Sequence, residues 1–149
     1  MSIDASLLRE IIMDHYEYPR NKSLTDQSGY ASVDMASDSC FDDITVQSKI
    51  ENGIIQDVRF DGVACTIATS STSIMSELMQ GKSIEEAKEI ISNYFNMIDQ
   101  KKYDEDLLEE AIAFQNVGKQ ANRIHCATIG WKAMDQMIRE SEGEKDESR

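Results

Sequence analysis

Two extended runs joined by an Asn-Gly pair place the strongest constraint on how this chain folds. The stretch DITVQSKIENGIIQDVRF has apolar residues spaced for strands on either side of Asn52-Gly53. A spacing of two is typical of a strand with one buried face, and Asn-Gly is the preferred pair of a two-residue hairpin turn. The sequence therefore predicts an antiparallel β-hairpin over this stretch.

The residues before the hairpin predict one helix and one strand. Apolar side chains at helical spacing indicate an N-terminal helix near residues 4–16, which Pro19 ends. Tyr30, Val33 and Met35 indicate a short strand that could join the hairpin.

The residues after the hairpin predict helices. The segment TIATSSTSIMSELMQG offers several N-cap hydroxyls and a C-terminal Gly81, and Ser83 with Glu86 predicts a capping box for the next helix. Two more helices are expected, one over about 104–116 and one from near His125 to Arg139.

Strands followed by helices indicate an α+β fold, with a small three-stranded antiparallel sheet and helices packed on one face. We expect residues 1–149 to form a single domain, with a disordered tail over about 141–149, where no apolar residue occurs. The methionines at 75, 79, 134 and 137 and Trp131 are expected to fill the core.

The composition narrows the partners and the setting. The chain has a net charge of −13, so it repels phosphate backbones and anionic headgroups, and we expect no nucleic-acid partner. The N-terminal residues carry charges and lack a long apolar run, so we expect no signal peptide, no membrane anchor and a cytoplasmic location. In that compartment thiols stay reduced, and three cysteines without a C-x-x-C pair argue against a disulfide framework.

Cys40 and Asp42 stand where a loop leads into the first run of the hairpin. Residues two apart in an extended segment point to the same side, so both are in register with Ile44 and Val46, which mark the core face. Asp42 is therefore expected at the rim of the buried face. A carboxylate is costly there unless a partner such as a cation compensates its charge.

The other two cysteines are also expected at the ends of elements. Cys65 follows the second run at a helix start, where backbone N–H groups and the helix dipole favour a thiolate, and Cys126 lies near the predicted start of the last helix. Three thiols and a carboxylate that converge would suit zinc or an iron–sulfur cluster. Spacing alone leaves open that the thiols are inert and that Asp42 only caps a turn.

Three segments of the chain carry a resemblance to a known family. LLREIIMDHYEYPRNK, CFDDITVQSKIENGIIQDVRFDGVACTIATSSTSIMSELMQGKS and RIHCATIGWKAM together resemble the SufU/IscU (NifU N-terminal-like) proteins of iron–sulfur cluster assembly over nearly the whole chain. The resemblance implies that Cys40, Asp42, Cys65 and Cys126 form a metal site.

Within this family the chain is more similar to the SufU branch. NVGKQANRIHC lacks the Leu-Pro-Pro-Val-Lys segment of IscU-like scaffolds, and the region before it resembles the longer SufU region. This implies a zinc-dependent sulfurtransferase in which Cys40 accepts sulfur from a pyridoxal-phosphate-dependent cysteine desulfurase and supplies downstream iron–sulfur assembly proteins. Two alternatives stay open, an IscU-like scaffold that assembles and transfers a [2Fe–2S] cluster and a divergent paralogue with weakened activity.

Several residues near the cysteines depart from the family pattern. Asp38-Ser39 replaces Asn-Pro before Cys40, and Phe41 and Ala64 stand where glycines are usual. Alternation predicts that Phe41 is at least half-exposed, and the loss of glycine predicts a restricted loop backbone.

Two residues close to the third cysteine have open roles. His125 is either an alternative ligand or an ordinary hydrogen-bonded residue at a helix start. Arg123 is either a charge partner of an anionic site or a solvated side chain.

Overall fold

The predicted hairpin forms and is joined by one further strand in an antiparallel sheet of order β1-β2-β3. The computed structural model describes residues 4–36 and 41–143. The strands are β1 (Ala31–Ala36), β2 (Asp43–Glu51) and β3 (Ile54–Val63). Asn52 and Gly53 have φ values of 56° and 76°, the pair of positive angles that defines a type I′ turn.

Helices flank the sheet on one side, as the sequence predicts. Within the described residues they are α1 (Ala5–Glu17), α2 (Thr66–Met79), α3 (Ile84–Ile98), α4 (Glu105–Leu108) and α5 (Ala121–Ser141). Helices α2 and α5 pack on the sheet, α1 contacts α2, and α3 contacts α5. The α+β architecture is thereby confirmed.

The core face of the sheet is the one that alternation indicates. Ile44 and Val46 of β2 and Val58 and Phe60 of β3 are all at most 1% exposed. Burial of such a side chain contributes about 1.5–3 kcal/mol relative to leaving it in water. The predicted core methionines and Trp131 are also buried. These side chains fix which side of the sheet the helices cover.

The hydroxyls of α2 have a different role from the predicted one. The N-cap of α2 is Cys65, and the run of serines and threonines lies buried inside the helix. The Ser71 hydroxyl donates to the Ala127 carbonyl at 2.7 Å and accepts from Trp131 Nε1 at 3.0 Å. Tyr94, stacked on Trp131 with centroids 3.8 Å apart, donates to the same carbonyl. Ser71 therefore ties α2 to α5 through hydrogen bonds within the core.

Two predicted helices differ from the structure. The helix expected over about 104–116 is divided into α4 and a 3-10 turn at Glu109–Phe114, because Glu109 has a φ of 48° and breaks the α-helical path. The turn packs on α1 and α2, and this tertiary packing overrides the local helical pattern.

The last helix begins earlier and ends later than its apolar pattern indicates. It starts at Ala121. The apolar pattern missed this start because the first turn is exposed and carries little of the apolar stripe. At the other end, Ser141 closes α5 and so is not part of a disordered tail. Its hydroxyl donates to the Ile138 carbonyl at 2.7 Å. Residues 144–149 of that predicted tail lie outside the described residues.

Gly130 of α5 tests the closeness of the α2–α5 contact. A Cβ at Gly130 would lie 2.4 Å from Thr72 Oγ1 and 2.8 Å from its Cγ2. We expect Gly130→Ala to lower the free energy of unfolding by about 1–3 kcal/mol, as overpacking does, although alanine favours helix. The measurement is urea denaturation.

A second substitution provides the control for this prediction. Thr72 Oγ1 has no hydrogen-bond partner in the described part of the chain, so Thr72→Ala removes the clash without breaking a bond. The double variant should recover most of the lost stability. A Gly130→Ala protein as stable as the parent would contradict the close packing.

Candidate metal centre

Asp42 is held between the sheet and the start of α2. It immediately precedes β2 and is 1% exposed. Its Oδ1 accepts the backbone N–H of Cys65 at 2.8 Å. The positive end of the α2 dipole is therefore one partner that compensates part of the buried charge. Asp42 thus caps the start of α2 through Oδ1.

Cys65 occupies the N-cap of α2, as predicted. Its sulfur accepts the N–H of Ala68 at 3.4 Å and lies 3.7 Å from Asp42 Oδ2. Unpaired N–H groups and the helix dipole at such a position stabilise a thiolate. Ala64, which stands where the family has glycine, is not among the non-glycine residues with positive φ. Alanine therefore fits this position without backbone strain.

Cys126 reaches the same place from α5. It is the sixth residue of that helix, so the prediction that it lies near the helix start is wrong by one turn. The helix is positioned by the hydrogen bonds of Ser71 and Tyr94 to Ala127, the next residue. Ligand atoms of Asp42, Cys65 and Cys126 all lie within 4.8 Å of one another. The fold therefore brings together three of the four predicted ligands.

The electrostatics of this group favour a cation. Burial raises the pKa of the Cys126 thiol, and the hydrogen-bonded Cys65 sulfur and Asp42 carboxylate raise it further. Thiolates gathered beside a buried carboxylate are stable only with positive charge among them. Two sulfurs and a carboxylate oxygen are donors that zinc accepts in its tetrahedral sites. The residues present therefore fit a zinc ion and leave a fourth position for another donor.

The remaining predicted site residues have different outcomes. Cys40, the predicted sulfur acceptor and fourth ligand, lies outside the described residues together with Asp38-Ser39. His125 is not part of the converging group, and its Nε2 is buried without a hydrogen-bond partner among the described residues. Arg123 is exposed and lines a groove beside α1.

Exposed apolar side chains border the centre. Phe41 is 63% exposed, as alternation predicts, and directly precedes the buried Asp42. Val63, at the end of β3 and paired with Asp43, is 65% exposed. Sequence reasoning did not single out Val63, although its position two residues before Cys65 could have indicated it.

Comparison with known proteins agrees with this geometry. The model of the NifU-like N terminal domain matches residues 7–147. The chain belongs to this family. Members similar to it include the zinc-dependent sulfurtransferase SufU of Bacillus subtilis strain 168, which is 37% identical over 147 residues, 96% of this chain and 99% of the relative. The iron–sulfur cluster assembly scaffold protein IscU of Streptococcus pyogenes serotype M1 is 32% identical over 91% of this chain and 84% of its own length.

Solved structures of NifU-like N-terminal domain proteins share the fold. A candidate iron–sulfur cluster assembly scaffold protein for the SUF system from Fervidobacterium islandicum AW-1 superposes with a TM-score of 0.79 and 29% identity, over 87% of this chain and 94% of that one. Among the described residues, none of the helices has the length and apolar character needed to cross a membrane.

Two substitutions at Asp42 separate its charge from its hydrogen bond. Asp42→Asn keeps an oxygen that can accept the Cys65 N–H, whereas Asp42→Ala removes charge and acceptor together. We expect both variants to hold zinc about 10- to 100-fold more weakly in chelator competition. Only Asp42→Ala should also lose about 1 kcal/mol of unfolding free energy, as lost helix caps do. Unchanged zinc affinity in Asp42→Asn would mean that Asp42 is a cap and not a ligand.

Proposed function

We propose that this protein acts in iron–sulfur cluster biogenesis as a zinc-dependent sulfur acceptor that works with a cysteine desulfurase. The observation that carries the proposal is the convergence of Asp42, Cys65 and Cys126 in a family whose member from Bacillus subtilis is a zinc-dependent sulfurtransferase. Cys40, two residues before Asp42 in the chain, is the proposed fourth ligand and the sulfur acceptor.

Each described residue of the centre has a distinct task in this proposal. Cys65 presents its sulfur at a helix N-terminus, and Cys126 presents a second sulfur from α5. Asp42 supplies an oxygen whose direction is fixed by its hydrogen bond to the Cys65 amide. Bound zinc would hold the thiols as thiolates at neutral pH, where a free cysteine with a pKa of about 8.5 is mostly protonated.

The transfer step requires Cys40 to leave the metal as a free thiolate, which a desulfurase side chain taking its ligand position would allow. That thiolate attacks the terminal sulfur of the desulfurase's cysteine persulfide, a new S–S bond forms on Cys40, and the desulfurase cysteine leaves as a thiolate. The step involves no net oxidation or reduction, because the sulfane sulfur only moves from the desulfurase cysteine to Cys40. The proton that the departing thiolate takes up comes from solvent, so no external oxidant or reductant is needed.

The exposed apolar border of the centre is the proposed contact for the desulfurase. Phe41 and Val63 flank Asp42 and Cys65 in the sequence, and both are almost two-thirds exposed. Aromatic side chains at such places are common anchors of protein interfaces. A partner seated there would also exclude water from the persulfide during transfer.

The second candidate function is a scaffold for a [2Fe–2S] cluster. It is favoured by the similarity to the IscU scaffold of Streptococcus pyogenes, and the same thiols could hold a cluster. In that case the cluster is cargo that is assembled and handed to an apo-protein. A brown protein that donates its cluster would support the scaffold, whereas a colourless protein that stimulates a desulfurase would support sulfur transfer.

Cys40→Ser tests the acceptor role directly. After incubation of the zinc-loaded protein with desulfurase and cysteine, we expect mass spectrometry to find a persulfide on Cys40 of the parent and none on any cysteine of the variant. Stimulation of alanine formation by the desulfurase should also be lost. A persulfide that persists on Cys65 or Cys126 in the variant would contradict the assignment.

His125→Asn serves as the comparison for Cys40. His125 has a buried Nε2 without a partner in the described part of the chain, so it is the rival donor for the fourth position. If Cys40 is the ligand, the His125 variant should keep its zinc and its persulfide. Loss of zinc from the His125 variant but not from Cys40→Ser would assign the position to the histidine.

Phe41→Ala tests the docking surface. We expect the concentration of this protein that half-saturates the desulfurase to rise about tenfold or more, as for loss of an interface anchor, with zinc content unchanged. Tyr18→Ala is the matched control, because Tyr18 is 70% exposed just after α1, outside this border. Equal effects of the two substitutions, or none from either, would remove Phe41 from the contact.

A further inference from the structure

A second group of metal-ligating side chains lies beside α2, away from the thiols. It consists of His15 of α1, Glu77 of α2 and Glu110 of the 3-10 turn, whose ligand atoms all lie within 4.8 Å of one another. His15 Nε2 is 2.8 Å from Glu110 Oε1. Ser73, against which His15 packs, is eight residues beyond Cys65, which is about 12 Å along the helix axis.

The imidazole of His15 is held in a fixed orientation. The side chain is wholly buried, and Nδ1 lies 2.8 Å from the Ser73 hydroxyl. That hydroxyl also accepts the backbone N–H of Arg20 at 2.9 Å. With the ring proton on Nδ1, both donors can share the two lone pairs of Ser73 Oγ, and the Nε2 lone pair then faces Glu110 Oε1 at 2.8 Å, where a cation would take the place of the proton of the other tautomer. Ligating histidines are typically oriented in this way through their other nitrogen.

The two carboxylates face solvent and can adjust to an ion. The side chains of Glu77 and Glu110 are 48% and 52% exposed, and both line a cavity of about 90 Å³ that Glu109 also borders. This volume exceeds the roughly 10–15 Å³ that a single water needs. The carboxylates therefore have room to close around an ion and its remaining waters.

Two cations of the chain lie near this group without neutralising it closely. The guanidinium of Arg20 is bonded to Asp14 at 2.7 Å and to the Tyr18 carbonyl at 3.0 Å, and it approaches Glu77 only to 4.0 Å. Lys82 lines the cavity and donates to the Leu78 carbonyl at 3.0 Å. Because Lys82 carries a positive charge in the same cavity, it would oppose the entry of a divalent ion.

We propose that His15, Glu77 and Glu110 form a second metal site, which takes a divalent first-row cation with open positions for water. One imidazole and two carboxylates are oxygen and nitrogen donors, which suit Mn²⁺ or Fe²⁺ rather than the thiolate-preferring ions of the first centre. The site differs from that centre in ligands, burial and position, and it needs none of the cysteines.

Titration of the zinc-loaded full-length protein with Mn²⁺, followed by the EPR signal of the free ion, tests the proposal. We expect one saturable Mn²⁺ per chain. Glu77→Gln and Glu110→Gln should each weaken binding at least about tenfold. Lys82→Gln should tighten it, because a positive charge is removed from the cavity lining. Glu85→Gln removes the same charge from an exposed position on the first turn of α3 and should leave binding unchanged.

The outcomes separate this site from the first centre and from a folding defect. Mn²⁺ should raise the melting temperature of the parent and of Glu85→Gln, but not of Glu77→Gln. Within the described part of the chain, the 4.0 Å approach of Arg20 is the closest ion pair of Glu77, so the Glu77 variant is expected to fold even where Glu110→Gln does not. Absence of saturable binding, or equal loss in Glu85→Gln, would overturn the proposal. Neither result depends on thiols or on a desulfurase.

Discussion

The candidate metal centre depends on the separation of α2 and α5, which Ser71 helps to fix from inside the core. Its hydroxyl donates to the Ala127 carbonyl and accepts from Trp131, and Tyr94 completes the bonding of that carbonyl. Because Ala127 adjoins Cys126, these bonds set the position of one sulfur relative to the start of α2. Fully satisfied polar networks of this kind specify one arrangement of a core, whereas apolar contacts alone tolerate sliding.

Placing the centre where three elements meet has an energetic cost that the fold partly offsets. Asp42 is buried, and burial, together with the neighbouring Cys65 sulfur and Asp42 carboxylate, raises the pKa of the Cys126 thiol. The Cys65 amide and the α2 dipole stabilise the carboxylate, but they cannot also stabilise two thiolates. A divalent cation at the group would supply the remaining charge. The same features that make the burial of these anionic groups costly would therefore give them affinity for a metal ion.

Local sequence signals predicted the parts of the fold that local physics decides. Asn52-Gly53 predicted the turn because its two positive φ values suit few other residues, and Ser83 with Glu86 predicted a capping box whose two bonds are both present. Alternation identified Ile44 and Val46 as the core face and Phe41 as exposed. These signals act within a few residues of the chain and need no knowledge of tertiary packing.

The errors arise where distant contacts override local preference. The pattern at 104–116 reads as one helix, but Glu109 turns the chain so that the following residues reach α1 and α2. The serines of α2 read as caps because their partners, such as Ala127 and His15, lie far away in sequence. Of the site, Cys65 and Asp42 followed from strand and helix ends, whereas the convergence of Cys126 with them needed the family resemblance.

Zinc-edge X-ray absorption on protein purified without chelators tests the central claim most directly. A centre made of three cysteines and Asp42 predicts one zinc per chain, with three sulfurs at about 2.3 Å and one oxygen at about 2.0–2.2 Å. Zinc surrounded by oxygen and nitrogen alone, or a zinc-free protein that carries an iron–sulfur chromophore, would contradict it.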